Sequence, residues 1–253
     1  MTIKFPPPYI TSGQLVPDLQ SKGYAVLNPA SALAFLGCQT SDTAAWAPSW
    51  DRLAVDGFLK DGGSYRHRRH SCFTVDGDGV TQTPHRAHWQ PVEYNALHGG
   101  MQRLFEPMEP QLVQSPAWGT LLVRLGQLCT QLKPHVKPWF VEAHQFRIDT
   151  ASGIGRPTPE GAHRDGVDYV FVVMVARHGV KGGESRVFEI DGPAGQRFTM
   201  SEPWTLLLLD DERVIHESTP IQPVEPINPA GSDTGYRDTL VLTYRAKGFQ
   251  DEV

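Results

Sequence analysis

The sequence predicts a mainly β chain of the α+β class, with a sandwich or jelly-roll core in its second half and helices packed around it. Three observations carry this reading. From Trp139 onward, segments of strand length rich in β-branched and aromatic residues follow one another: "WFVEAHQFRID", "DYVFVVMVAR", "SRVFEI", "QRFTM", "WTLLLLDD", "RVIHEST" and "RDTLVLTYR". No helical periodicity separates them, so parallel βαβ units are not expected. The 24 glycines and 21 prolines supply tight turns between many short elements.

Each element has a local warrant. In "TSGQLVPDLQSKGYAVL" a short helix should end at Gly23 and a short strand follow over 24–27. "NPASALAFLG" carries proline near its start and glycine at its end, the asymmetry of a second helix. "SYRHRRHSCFTVDGDGVTQTPHRAHWQP" alternates around an Asp-Gly-Asp-Gly turn and reads as a hairpin. The clearest helix is "SPAWGTLLVRLGQLCTQLKP", with Ser115 as N-cap and Pro116 in the first turn. There Leu121, Leu125, Leu128 and Leu132 make one apolar stripe, and Pro134 ends the run. Trp204 and the leucines after it are expected inside the barrel core. The two long Gly/Pro-rich connections, "TASGIGRPTPEGA" and "PIQPVEPINPAGSDTGY", have a length usual for functional or mobile loops. We therefore read residues 1–253 as one domain, with a helix-rich part over about 1–135 and the jelly roll over 136–247.

Composition narrows the function classes. A net charge of −5 argues against a general nucleic-acid binder, whose footprint is basic. No window approaches eighteen uninterrupted apolar residues, so no membrane span is expected. The N-terminal "MTIKFPPPYI" lacks the apolar stretch of a signal peptide. Cys38, Cys72 and Cys129 are scattered and odd in number, which reads as reduced thiols in a cytoplasm.

The chemistry gathers around "EGAHRDGVDYV". If His163 and Asp165 lie on a strand, positions i and i+2 put imidazole and carboxylate on one face. His216, in "RVIHEST", can supply a third ligand. Two histidines and one carboxylate make a facial triad with open coordination positions, the arrangement of non-haem Fe(II) oxygenases. Further on, Arg237 and Thr239 share a face of "RDTLVLTYR"; a guanidinium and a hydroxyl can together hold a carboxylate.

In this order, H-x-D, a distant His and R-x-T, the sequence resembles the Fe(II)/2-oxoglutarate-dependent dioxygenases with a double-stranded β-helix (cupin-like) core. The resemblance implies that His163, Asp165 and His216 bind Fe(II), and that Arg237 and Thr239 grip the distal carboxylate of the cosubstrate 2-oxoglutarate. Within that class, "YRHRRH", "WQPVEYNALHGGMQRLFEP", "HQFRID", "PEGAHRDGVDYV" and "GGESRVFE" look most like the bacterial free amino-acid hydroxylases typified by L-isoleucine dioxygenase. That implies O2-dependent hydroxylation of an unactivated C–H bond of a free L-amino acid or close derivative, with release of succinate and CO2.

Such a substrate needs a cation for its carboxylate and an anion for its ammonium. Arg147, with Gln145 on the same strand face, and Glu160 are candidates. The basic run "YRHRRH" reads first as a solvated strand face, with Arg66 or Arg68 pointing to substrate as the sharper reading. Asn95 and Arg103 either line the pocket or hold a loop. Two other classes answer to the same residues: a cupin-like metal enzyme that does not use 2-oxoglutarate, and a non-catalytic small-molecule-binding barrel.

Overall fold

In the computed structural model, residues 5–224 and 234–250 are described. The long connection read over "PIQPVEPINPAGSDTGY" lies partly outside them. The chain runs through strand β1 (Tyr9–Ile10), helix α1 (Leu15–Lys22), β2 (Tyr24–Leu27), α2 (Pro29–Leu36) and α3 (Thr40–Trp46). A 3-10 turn over Ala47–Arg52 leads to the hairpin β3 (Arg66–Asp76) and β4 (Gly79–Gln82), then α4 (Pro110–Val113) and α5 (Pro116–Leu132). The strand-rich half comprises β5 (Trp139–Asp149), β6 (Tyr169–His178), β7 (Val180–Gly182), β8 (Ser185–Glu189) and β9 (Gly195–Phe198). It closes with β10 (Leu206–Asp210), β11 (Val214–Ser218), β12 (Ile221–Pro223) and β13 (Tyr236–Arg245).

Local chemistry sets the helix ends. Gly23 and Gly37 close α1 and α2 with φ of 75° and 70°, a region that costs glycine nothing. Asn28 caps α2 by accepting from Ser31 N at 2.9 Å, and Ser115 caps α5 by accepting from Trp118 N at 3.3 Å.

Eight strands form one sheet in the order β1-β2-β10-β6-β13-β5-β3-β4, antiparallel except for the β1–β2 pair. A three-stranded sheet, β11-β8-β9, and the pair β12-β7 complete the strand set. The large sheet is buried on both faces, and strand alternation sorts its side chains. In β10, Leu206 and Leu208 join the core under the helices, while Leu207 and Leu209 join the core toward the small sheet. The same holds in β6, where Phe171 and Val173 face the helices and Val170 and Met174 face Val187, Phe198 and Val214. This is the double-sheet, jelly-roll architecture, with helices α1, α2, α3 and α5 covering the outer face.

Trp204 differs from expectation: it lies in the helix-side core, 5.9 Å from the Trp46 ring, not inside the barrel. Its φ of 67° tips the chain into β10 and turns the indole outward toward α3. All three cysteines are buried. Among the described residues, no helix is long and apolar enough to cross a membrane.

Candidate active site

Alternation along β3, β5 and β13 builds one cavity on the inner face of the large sheet. Arg66 and Arg68 of β3, Glu142, His144, Phe146 and Ile148 of β5, and Arg237, Thr239, Val241 and Thr243 of β13 all line it. The opposite positions of β5 and β13, Val141, Ala143, Leu240 and Leu242, pack under the helices. Arg237 and Thr239 stay on one face although a bulge relative to β6 intervenes between Asp238 and Thr239.

His163, Asp165 and His216 converge at this cavity, with ligand-capable atoms within 4.8 Å of one another. His163 Nε2 lies 3.8 Å from Asp165 Oδ1, and His216 Nε2 lies 3.6 Å from Asp165 Oδ2. Contrary to expectation, His163 and Asp165 are not on a strand. His163 forms a single bridge with His216, their backbones exchanging bonds of 3.0 and 2.9 Å. Asp165 sits in a turn that the buried Asp211 carboxylate holds, accepting from the backbone N–H of Asp165 (3.0 Å), Gly166 (2.8 Å) and Val167 (3.2 Å). Gly166, at φ 77°, lets the chain turn there into β6.

The donor set fits a divalent transition metal. His163 Nδ1 donates to the Gly161 carbonyl at 2.9 Å, which fixes the tautomer that leaves Nε2 as a lone pair toward Asp165. Burial, reinforced by the neighbouring His163, pushes His216 down to about 4, so its imidazole is neutral and able to ligate at neutral pH. For His163 burial works the same way, but the Asp165 and Glu160 carboxylates outweigh it and raise its affinity for a proton. A cation at this point relieves the same negative field.

The Arg237 end of the cavity has an equally clear signature. Arg237 is 4% exposed and its Nε has no partner. Burial, together with Arg177 nearby, pushes its guanidinium down to about 10. A buried cation without a counter-ion is costly, and a carboxylate ligand would relieve that cost. The adjacent Asp238 does not serve: it turns to the other face and binds Arg147, at 2.8 and 2.7 Å.

That pairing corrects one expectation. Gln145 and Arg147 share the helix-side face of β5; Gln145 Nε2 donates to Ser49 Oγ at 2.7 Å, and Arg147 is held by Asp238 and Asp51. Neither lines the cavity. The residues of "YRHRRH" also differ from the solvated face first read there. Arg66 and Arg68 are buried and face the cavity, Arg66 bonded through Nε to Asp56 at 2.7 Å, Arg68 packed over the rings of Phe105 and Phe146. Arg66 Nη2, Arg68 Nε and Arg103 Nε are buried without partners, and so is Glu160 Oε2. Asn95 and Arg103 both line the cavity and hold a loop.

A second cluster belongs to no motif of the sequence: His70, His88, Glu142 and His144, whose ligand-capable atoms also lie within 4.8 Å. Its geometry is that of a hydrogen-bond network. Glu142 Oε2 faces His70 Nε2 at 2.8 Å and His88 Nδ1 at 2.6 Å. Arg68 Nη2 lies 2.9 Å from His144 Nδ1; arginine only donates, so neutral His144 carries its proton on Nε2, the atom facing Glu142. Burial first, and then neighbouring arginine charge, lowers the proton affinity of Arg68 and Arg103, so this wall disfavours a further cation. The signal was in "VEAHQF": Val141 and Ala143 mark the core face of β5, which leaves Glu142 and His144 on the other.

A family model described as 2OG-Fe dioxygenase matches residues 47–243. The chain belongs to the 2OG-Fe dioxygenase family. A crystal structure of a bsmA homolog from Methylobium petroleophilum PM1 is similar over 100% of both chains, at 48% identity and a TM-score of 0.90. IDO from Bacillus thuringiensis shares the fold at 18% identity and TM-score 0.72, over 93% of this chain and 99% of that one. So does TqaL, described as an Fe(II)/α-ketoglutarate-dependent dioxygenase, at 18% and 0.67, over 92% and 86%. No curated protein matches. As a 2OG-Fe dioxygenase the protein is an enzyme that uses Fe(II), 2-oxoglutarate and O2 for oxygenation, and the two rival classes give way.

Proposed function

We propose that this dioxygenase hydroxylates an unactivated C–H bond of a free L-amino acid or close derivative, with release of succinate and CO2. The observation that carries this is a pair of opposite charges in one cavity. Unpartnered guanidinium nitrogens, Arg66 Nη2 among them, and the unpartnered Glu160 Oε2 line the same space as the His-Asp-His group. A zwitterion satisfies both; a neutral or purely anionic ligand leaves one buried group unpaired, at a cost of about 1–3 kcal/mol or more.

In this reading His163, Asp165 and His216 hold Fe(II), and Arg237 with Thr239 holds the far carboxylate of 2-oxoglutarate. The bound iron and cosubstrate supply the oxidising chemistry. The chain supplies placement. Arg66 orients the substrate's carboxylate and Glu160 its ammonium, so that one C–H bond faces the metal. The apolar flanks Val167, Val172 and Val241 keep water from that point. Asp211 fixes the turn on which Asp165 is carried.

Succinate release with Fe(II), ascorbate and 2-oxoglutarate across the twenty amino acids tests the proposal. Release stimulated by one or a few of them, with a hydroxylated product of matching mass, is expected. No stimulation by any member of the panel sinks the amino-acid reading.

A further inference from the structure

The segment between β4 and α4, residues 83–109, forms one wall of the cavity, and its Gln90 side chain reaches the Asp165 carboxylate. Gln90 is 6% exposed, and its Nε2 donates to Asp165 Oδ1 at 3.1 Å. Its Oε1 accepts from Asn95 Nδ2 at 3.1 Å and from Arg103 Nη2 at 3.0 Å. Those two donors determine the amide's orientation. Flipped, it would set an NH2 group against two donors and its oxygen against a carboxylate. The segment is pinned beside Gln90 by a backbone bridge between His88 and Arg103, with bonds of 3.0 and 2.9 Å.

With Oδ1 bonded to Gln90, Oδ2 is the oxygen without a hydrogen bond from Gln90, on the His216 side at 3.6 Å from its Nε2. This distinction has a chemical consequence. A carboxylate that binds through one oxygen takes one coordination position; through both it takes two, and one of the open positions of the facial triad is lost. Released from Gln90, the carboxylate is free to rotate toward the two-oxygen mode, since its Oδ1 already lies 3.8 Å from His163 Nε2.

We propose that Gln90 is a positioning residue for the metal centre, which holds Asp165 to one-oxygen ligation and is itself held by Arg103 and Asn95. The cavity wall and the metal ligand thereby form one hydrogen-bonded chain, Arg103–Gln90–Asp165. The proposal rests on the metal site and not on the identity of the substrate, so its test needs no substrate.

The test is anaerobic titration of the metal-free protein with Fe(II) in the presence of 2-oxoglutarate, followed by visible charge-transfer absorption, beside thermal unfolding of the metal-free protein. Gln90→Met keeps the length of the side chain and removes its amide. The expected result is a fall in Fe(II) affinity of about 10–100-fold, the usual effect of losing an outer-shell partner, with the metal-free Tm unchanged. Unchanged affinity overturns the proposal. Should Gln90→Met also lower the metal-free Tm, Asn95→Ala decides, because it loosens the same segment and spares the bond to Asp165. A markedly smaller loss of affinity in Asn95→Ala supports the positioning role; an equal loss overturns it.

Discussion

Arg237 shows how much a single buried charge reveals. Its Nε has no partner inside the protein, and its neighbour Asp238 is committed to Arg147 on the opposite face. Arg237→Ala should therefore cost the cosubstrate one charge-assisted contact, roughly 1.5–3 kcal/mol, or about a 10–150-fold rise in KM for 2-oxoglutarate. Measured against Fe(II) affinity, which should hold, the variant separates cosubstrate binding from metal binding. An unchanged KM would place the carboxylate elsewhere. The two histidine–carboxylate groups can also be told apart at this scale. Only the His163, Asp165 and His216 group leaves its lone pairs free of arginine, so one equivalent of divalent metal per chain is expected, and Glu142→Gln should not lower it. Metal analysis of the two proteins checks both statements; a second equivalent lost in Glu142→Gln would reverse our reading of that cluster.

Among the elements, α5 and β3 are in unusually close contact. Gly126 sits in the middle of α5, where alanine normally stabilises a helix by about 1 kcal/mol. Here a Cβ would come within 2.8 Å of Val75 Cγ1, a buried and branched side chain that has little room to move. Gly126→Ala should lower Tm in spite of its helix propensity, and Val75→Ala should restore part of the loss in the double variant. Thermal unfolding of the four proteins gives the coupling; a Tm raised by Gly126→Ala alone would mean that the helix moves away freely. The apolar stripe of α5 was legible because Leu121, Leu125 and Leu128 repeat at helical spacing. The glycine was not, because its reason lies on another strand.

At the scale of the whole molecule, buried imidazoles should make stability fall as the pH falls. Burial pushes His88 down to about 4, and its neighbour His70 is lowered for the same first cause. The unfolded chain takes up protons at the ordinary histidine value of about 6.5, and the folded one resists until about 4. The His88 contribution is thus fully present above about 6.5 and is lost as pH falls toward 4. Glu142 acts in the same direction: burial alone would raise it, but His88 and His70 hold it below the usual carboxylate range. His88→Gln keeps a donor for Glu142 and cannot titrate. The metal-free variant should lose less Tm than the parent between pH 6.5 and 4, and parallel profiles would remove His88 from the account.

The sequence by itself determined the architecture and the class of chemistry. Strand after strand without helical spacing set the jelly roll, and an H-x-D, a distant histidine and an R-x-T named the residues we propose for the chemistry, because those residue types can carry it. The tertiary structure alone decided which side of each strand faces the cavity. On β5, polar residues occur on both faces, and the strand pattern alone does not say whether Gln145 and Arg147 or Glu142 and His144 face the cavity. Only the helices packed over Val141 and Ala143 show that the first pair is turned away. Nor could local patterning bring Gln90 to Asp165, 75 residues apart, or pin the Asp165 turn on Asp211. Such contacts depend on how the elements stack, which a periodicity of two or of 3.6 does not encode.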